Sequence, residues 1–246
     1  MSAVLHSPQE STGPSPLDPG LVVLVLGMHR SGTSLVTEIL GRLGLWIGDD
    51  DRVIGASEYN RRGHFELVAG VEFDNAVLSE AGGTWDRPPP AAAIDALAGT
   101  VRPAVESWYA GRMAWTFKDP RLCLTLPVWM PALAGRQLRI VHMLRDPHAV
   151  ARSLITRNAA MDLPASGFGR GTMRAADAIG LWAEYNRRAC LYEDRFALPR
   201  LFVWYDQLVE APCAQIERLA PFLGLTQVRL ADAASCVRPE LRSHAL

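Results

Sequence analysis

The chain has 246 residues, of which 49% are apolar and 21% are charged, a composition typical of globular proteins and not of disordered ones. Its 25 basic and 26 acidic residues give a net charge of −1, which argues against a nucleic-acid binder or a membrane-surface protein that acts through bulk positive charge. The longest apolar run near its start has six residues, far below the roughly 20 that cross a bilayer, so no membrane span is expected.

The start of the chain is rich in Ser and Pro, and residues 1–19 are predicted to be a flexible tail. The first 20 residues contain no Lys or Arg and no apolar stretch, so they do not resemble a secretory signal. The four cysteines are widely spaced and form no CxxC pair, which predicts neither a metal site nor a disulfide framework. We expect a cytoplasmic protein in which residues 20–246 form one domain.

From Leu21 onwards, strand and helix patterns alternate. A continuous apolar run predicts a buried strand over Leu21–Leu26, and a one-sided apolar pattern predicts a helix over Thr33–Leu43 that Gly44 ends. After a loop over residues 45–64, the further predicted helices are 66–81, 91–110, 147–157, 172–196 and 213–223. The further predicted strands are 114–117, 138–144 and 201–204, with a turn over 84–90 and a loop over 158–171.

This alternation predicts an α/β fold. We expect a three-layer sandwich, with a central parallel sheet between helices and a topology like that of P-loop NTPases. In such folds, ligands bind outside the carboxyl ends of the strands. The most polar motifs, at residues 27–34, 118–121 and 145–153, all begin where a predicted strand ends, so they predict a common site.

The first motif, Gly-Met-His-Arg-Ser-Gly-Thr-Ser over residues 27–34, joins the first strand to the first helix with the spacing GxxxxG. Its glycines allow successive backbone N–H groups to surround an anion at the helix N-terminus. A nucleoside-triphosphate P-loop has Lys where this loop has Thr33, which disfavours kinase or NTPase chemistry. The alternative is a glycine turn that binds nothing. The candidate ligand residues are His29, Arg30, Ser31, Gly32, Thr33 and Ser34.

Two further motifs supply candidate cations. Arg145 begins the segment Arg-Asp-Pro-His-Ala-Val-Ala-Arg-Ser, which ends at Ser153, and its guanidinium suits a phosphate, although a salt-bridged turn is the alternative. Lys118 is the only lysine among 25 basic residues, which suggests a role that a guanidinium does not fill. The alternative for Lys118 is a simple ion pair with Asp119.

Together these motifs resemble the sulfotransferase superfamily, and more closely its bacterial members with a GMHRSGTS loop. In that family the loop for the 5′-phosphosulfate is similar to Arg30–Ser34, and the 3′-phosphate motif has an Arg followed eight residues later by a Ser, as in Arg145 and Ser153. The other similar segments are Asn60–Glu66, Trp85–Asp86, Lys118–Arg121 and Tyr205–Leu208. The resemblance spans about Leu21 to Leu225.

The resemblance implies 3′-phosphoadenosine 5′-phosphosulfate as donor co-substrate, without a metal. It implies in-line transfer of the sulfuryl group to a hydroxyl or amine of a small molecule or glycan, with Arg30 and Lys118 stabilising the developing charge. The late basic, glycine-rich loop that contacts the 3′-phosphate in many relatives has no counterpart around Arg238 and Arg242.

The residue that accepts the proton of the acceptor is left open between Glu66, Glu58 and His64, in that order of preference. For Glu66 the alternative is a solvated acidic residue in the first turn of a helix. Trp85, Trp115 and Trp129 are expected to serve in packing. Two other functions are considered, a P-loop kinase-like phosphotransferase and a non-catalytic nucleotide-binding module.

Overall fold

A computed structural model of the chain describes residues 17–56, 63–160 and 173–238. Most of the predicted tail, the candidate base Glu58 and most of the predicted loop 158–171 lie outside these ranges. The described strands form one parallel sheet in the order β2-β1-β3-β4. They are β1 (Leu21–Leu26), β2 (Trp115–Lys118), β3 (Gln137–Leu144) and β4 (Arg200–Trp204).

Ten α-helices lie within the described ranges. They are α1 (Thr33–Arg42), α2 (Val68–Glu80), α3 (Ala91–Leu97), α4 (Val105–Trp108), α5 (Leu122–Trp129), α6 (Pro147–Ala160), α7 (Ala175–Arg195), α8 (Tyr205–Glu210), α9 (Pro212–Phe222) and α10 (Leu230–Ala234). A 3₁₀ turn over Met130–Leu133 follows α5 directly. Among these described helices, none combines the length and the apolar character that crossing a membrane requires.

Strand β1 lies at the centre of two apolar cores because its side chains alternate between the two faces of the sheet. Leu21, Val23 and Val25 pack in a core with apolar residues of α1 and α9. Val22, Leu24 and Leu26 pack in the other core, with residues of α5, α6 and α7. All six residues of β1 are fully buried, and each such side chain contributes about 1.5–3 kcal/mol to folding. The expected sandwich, with helices on both faces of a parallel sheet, is thereby confirmed.

The region from residue 91 to 121 differs from the prediction. The single helix predicted over 91–110 is wrong, because α3 ends at Leu97 and α4 covers only Val105–Trp108. Gly99 has a φ of +91° and Pro103 lacks a backbone N–H, so a continuous helix cannot pass through these positions. Helices α5, α8 and α10 were not predicted, and the predicted ends of the other elements shift by at most three residues.

A buried polar network joins the sheet to α7. His142 of β3 has its Nδ1 atom 2.7 Å from Glu193 Oε1 and its Nε2 atom 2.9 Å from Asn186 Oδ1. The Asn186 amide nitrogen donates to the Trp182 carbonyl at 2.7 Å, so its Oδ1 faces the imidazole and Nε2 must carry a proton. Nδ1 faces a carboxylate, so the ring donates from both nitrogens as an imidazolium. Burial alone would lower the pKa of His142. The hydrogen bonds of the ring to Cys190 and Glu193, together with the charge of Glu193, outweigh burial and raise that pKa to about 9.

Candidate active site at the strand ends

The loop between β1 and α1 requires glycine at two points. Gly27 has a φ of +137°, and a Cβ atom there would lie 2.6 Å from the carbonyl oxygen of Met143 in β3. Gly32 has a φ of +90°, and a Cβ atom there would lie 2.3 Å from the ring of Tyr205 at the start of α8. Between them, Arg30 adopts a φ of +71°, a left-handed conformation uncommon for a residue with a side chain. The loop is therefore fitted closely between the ends of β3 and β4.

The structure brings the loop into direct contact with the motif after β3. Arg30 Nε donates a hydrogen bond of 2.8 Å to Ser153 Oγ on α6. Arg145 Nη1 donates to the Arg30 carbonyl oxygen at 3.0 Å, and the Arg145 guanidinium lies 4.3 Å from the centre of the Tyr205 ring. Two basic motifs 115 residues apart thus form one surface. The sequence singled out Tyr205 only as part of a segment that is similar to a known family. Its position directly after a predicted strand is the signal that could have identified it as a site residue.

The electrostatics of this surface favour an anion. Burial, and then repulsion from Arg145, lower the pKa of Arg30. An anion placed beside the two guanidiniums would reduce their repulsion and form charge-assisted hydrogen bonds with both. The N-terminus of α1, which begins at Thr33 in the same loop, adds the positive end of a helix dipole.

His29 and Ser31 are buried in the same loop. His29 Nε2 and Ser31 Oγ have no hydrogen-bond partner within the part of the chain that the structure describes. The His29 ring packs edge-on against Trp85, with centroids 5.0 Å apart. Burial, followed by the positive charges of Arg121 and Arg157, holds the pKa of His29 well below its usual value, so its ring is neutral. Buried polar atoms rarely lack partners, so these two fit a loop that receives ligand oxygens.

Lys118, the last residue of β2, forms a buried salt bridge with Glu66. Lys118 Nζ lies 2.6 Å from Glu66 Oε1, and only 2% and 10% of the two side chains are exposed. The alternative ion pair with Asp119 does not form, because Asp119 accepts from Arg121 Nη1 at 2.8 Å. Burial alone would raise the pKa of Glu66, but the charge of Lys118 and its hydrogen bond outweigh burial and lower that pKa.

The backbone around Glu66 is fixed by a short pairing with the preceding loop. Ile54 donates its N–H to the Glu66 carbonyl at 2.8 Å and accepts the His64 N–H at 3.1 Å. His64 is half-buried, burial lowers its pKa, and its carbonyl oxygen accepts a hydrogen bond from Ser34 Oγ at 3.3 Å. Between them, Phe65 has a φ of +54°, a strained value for an aromatic residue. Two candidate bases, His64 and Glu66, therefore lie close to Lys118 and the loop.

Two site arginines were missed by sequence analysis. Arg157 lies one helical turn beyond Ser153 on α6, and its guanidinium lies 4.9 Å from the centre of the Trp85 ring. Burial, and then repulsion from Arg30 and Arg121, lower the pKa of Arg157 to about 10. Arg121 is held by Asp119, and attraction to that carboxylate outweighs burial and raises the pKa of Arg121. The four-residue spacing from Ser153 was the signal that could have identified Arg157.

Of the three tryptophans that the sequence singled out, two lie in the core and one lies at the site. Trp115 and Trp129 are fully buried in the core, as expected for packing residues. Trp85 is half-buried and forms a wall between His29 and Arg157. Arg238 is exposed, and Arg242 lies outside the described residues.

An open cavity of about 420 Å³ lies beside Phe65. Its lining includes the aromatic side chains of Trp46 and Phe65, the apolar side chain of Ile47, and the ion pair between Glu38 and Arg42. This volume is in the usual range for sites that bind small organic molecules.

Comparisons with known proteins found a matching family model and similar solved structures. A family model described as the sulfotransferase family matches residues 23–229. The sulfotransferase domain of the Synechococcus PCC 7002 olefin synthase is similar in structure, with 20% identity, coverage of 96% of this chain and 90% of that chain, and a TM-score of 0.50. The sulfotransferase domain from the curacin biosynthetic pathway has 15% identity, coverage of 94% and 84%, and a TM-score of 0.48. Mouse sulfotransferase SULT7A1, in complex with PAP, has 16% identity, coverage of 90% and 66%, and a TM-score of 0.47. No curated protein matches the chain significantly.

Proposed function

The chain belongs to the sulfotransferase family, and on that premise we propose that it transfers a sulfuryl group from 3′-phosphoadenosine 5′-phosphosulfate to a hydroxyl or amine of a small-molecule or glycan acceptor. The observation that carries the proposal is the contact between two cationic motifs, in which Arg30 donates to Ser153 and Arg145 donates to the Arg30 backbone. A donor with two separated anionic groups requires two adjoining anion sites, and the adjoining guanidiniums of Arg30 and Arg145 support this assignment.

In this proposal the loop residues hold the 5′-phosphosulfate. The backbone N–H groups at the start of α1 and the hydroxyls of Ser31, Thr33 and Ser34 would surround it, and neutral His29 would donate one hydrogen bond. Arg145 and Ser153 would bind the 3′-phosphate, with Tyr205 supporting the Arg145 guanidinium. Each charge-assisted contact of this kind contributes about 1.5–3 kcal/mol.

The chemistry assigned to the site is an in-line displacement at sulfur. The acceptor oxygen or nitrogen forms the new bond to sulfur while the bond between sulfur and the phosphate oxygen breaks, and the electron pair of that bond remains on the phosphate. Arg30 and Lys118 would stabilise this developing negative charge. Glu66 would take the proton of the acceptor, with Glu58 as the second candidate and His64 as the third.

The acceptor is assigned to the cavity beside Phe65. Its volume suits a small molecule or a single sugar unit, and the side chains of Trp46 and Phe65 contribute aromatic surface to its lining. Phe65, which lines the cavity, directly precedes the proposed base Glu66 in the chain.

Calorimetry tests the donor assignment directly. We expect adenosine 3′,5′-bisphosphate to bind and ATP with magnesium not to bind. The reverse result would favour the kinase-like phosphotransferase. A second assay, transfer of a labelled sulfuryl group to a panel of phenols, amines and sugars, separates the enzyme from a non-catalytic module, because a module would bind the bisphosphate and label no acceptor.

A further inference from the structure

The salt bridge between Lys118 and Glu66 creates a conflict for the proposed chemistry. A carboxylate that already binds an ammonium at 2.6 Å is a weak proton acceptor, because protonating it would leave the ammonium without its partner. The same Lys118 is needed at the sulfuryl group. Both roles cannot be filled by the arrangement that the structure shows, so one side chain must change its partner during the reaction.

The structure indicates which atoms can move. Lys118 is held in the sheet by its register with Val25 of β1, and the Glu66 backbone is held by its hydrogen bond to Ile54. Neither backbone is free to shift, whereas the four-carbon stem of Lys118 can turn its ammonium group without disturbing the strand. Of the two side chains, Lys118 has the longer and more flexible stem, so its ammonium is the group assigned to change partner.

The other charged groups around Glu66 would not replace Lys118. Besides Lys118, the titratable and charged groups that act on Glu66 or respond to it are Arg121, His64, Asp119 and Arg157. Arg121 is engaged by both oxygens of Asp119, at 2.8 and 3.0 Å. Burial is the largest influence on Glu66 and acts to raise its pKa, so the carboxylate becomes basic once the ammonium leaves.

We infer that Lys118 is a donor-dependent switch: it binds Glu66 while the donor site is empty and turns to the sulfuryl group when the donor binds, so that Glu66 becomes a competent base only in the donor complex. This inference rests on the proposed function. In this scheme the acceptor can lose its proton to Glu66 only after the donor has bound, because Lys118 then contacts the sulfuryl group and no longer Glu66.

Proton uptake on donor binding tests the switch without an acceptor. The heat of binding of 3′-phosphoadenosine 5′-phosphosulfate would be measured at pH 6 in buffers of different ionisation enthalpy, which gives the number of protons taken up. We expect the wild-type protein to take up more protons on donor binding than Glu66→Gln does. The phosphate groups of the donor titrate equally in both proteins, so the difference reports Glu66.

Two further variants make the result decisive. His64→Gln should keep the wild-type uptake, and loss of uptake in this variant instead of in Glu66→Gln would overturn the assignment to Glu66. Because Glu66→Gln leaves a buried ammonium without its carboxylate, the neutral double variant Lys118→Met with Glu66→Gln serves as a second test and should also lose the uptake. If the donor binds and all variants take up the same number of protons, the switch is wrong but the proposed function stands. Failure of the wild-type protein to bind the donor overturns the proposed function as well.

Discussion

Arg145 and Lys118 lie in the same site, but replacing each of them by alanine should have a different effect on nucleotide affinity and on turnover. Arg145→Ala is expected to weaken binding of adenosine 3′,5′-bisphosphate by about 10- to 150-fold, because a phosphate contact contributes about 1.5–3 kcal/mol. Lys118→Ala should lower turnover by about 10²- to 10³-fold and change affinity for the bisphosphate little, because that product has no sulfuryl group. Calorimetry and a turnover assay measure the two effects.

The matched control for Arg145 is Arg136→Ala. Arg136 forms an ion pair with the exposed Glu106, away from the site, and its removal should leave both measurements unchanged. Equal losses of bisphosphate affinity in Arg145→Ala and Lys118→Ala would contradict the division of roles.

Gly32 is predicted to be irreplaceable for two separate reasons, a positive φ and the contact with Tyr205. Gly32→Ala should destabilise the protein by more than Gly99→Ala, because Gly99 has a similar φ of +91° and open space around it. The strain alone, at Gly99, should lower the free energy of unfolding by about 1–2 kcal/mol. Urea unfolding of both variants measures this difference.

The close contact between Gly32 and Tyr205 also predicts that Gly32→Ala lowers ligand affinity. A Cβ atom would push the Tyr205 ring, and Tyr205 lies under the Arg145 guanidinium. Bisphosphate affinity should therefore fall in Gly32→Ala and stay unchanged in Gly99→Ala. Equal stability and equal affinity in the two variants would show that the contact with Tyr205 has no effect.

The positions of the site motifs could be predicted from the sequence, but the pairing of their side chains could not. Arg30 and Arg145 were expected at neighbouring strand ends because parallel strands share a carboxyl edge, and the structure places them there. The partner of Lys118 was left open because a salt bridge between residues 52 positions apart depends on how loop 45–64 returns to the sheet. No periodic signal in the sequence describes that path.

At the scale of elements, prediction was accurate where an apolar pattern had a period. Helices α1 and α7 have one buried face, and β1 is a continuous apolar run, so their existence and approximate bounds were predicted. Helix α5 was missed because all eight of its residues are buried and it contains Pro127, so its sequence shows neither a polar face nor a good helix interior.

The network between β3 and α7 predicts a pH-dependent stability. The folded pKa of His142, about 9, lies above its unfolded value of about 6.5, so the contribution of this group is fully present below pH 6.5 and is lost as pH rises through 9. The free energy of unfolding should fall over this range by a His142-dependent amount of about 3 kcal/mol. Urea titrations between pH 6 and pH 10 measure this slope.

Variants distinguish the contribution of His142 to this slope from the contributions of its neighbours Cys190 and Glu193. Arg200 acts on the same network through its ion pair with Glu193. His142→Gln should show a much flatter dependence on pH, and Cys190→Ala should show a smaller slope than the wild-type protein, because the hydrogen bond to Cys190 is the largest influence that raises the pKa of His142. A slope that is unchanged in His142→Gln would show that the imidazole is neutral in the folded protein.

At the scale of the whole molecule, the burial of the four cysteines provides a test of the fold. Cys213 is exposed, Cys190 is partly buried, and Cys123 and Cys236 are buried. Burial raises the pKa of the Cys123 thiol, whose sulfur also accepts the Gly27 N–H at 3.2 Å. In the native protein a thiol reagent should label Cys213 rapidly and Cys123 only on unfolding.

The corresponding control is Cys213→Ser, which should remove the rapid phase and leave the slow phases unchanged. Labelling of Cys123 at the rate of Cys213 in native protein would mean that the loop and α5 are not packed together as described.

Helix α7 also holds the opposite side of the site. Tyr185 donates its hydroxyl proton to the Trp85 carbonyl at 2.6 Å, and Arg188, one turn further along, donates to the Pro89 carbonyl. The turn that positions Trp85 beside His29 and Arg157 is thus held by hydrogen bonds from α7, whose Tyr185 ring also lies 6.0 Å from the His29 ring. A substitution on α7 that displaces the indole slightly would therefore reshape the wall beside His29 and Arg157 from a distance, while Lys118 and Glu66 stay unchanged.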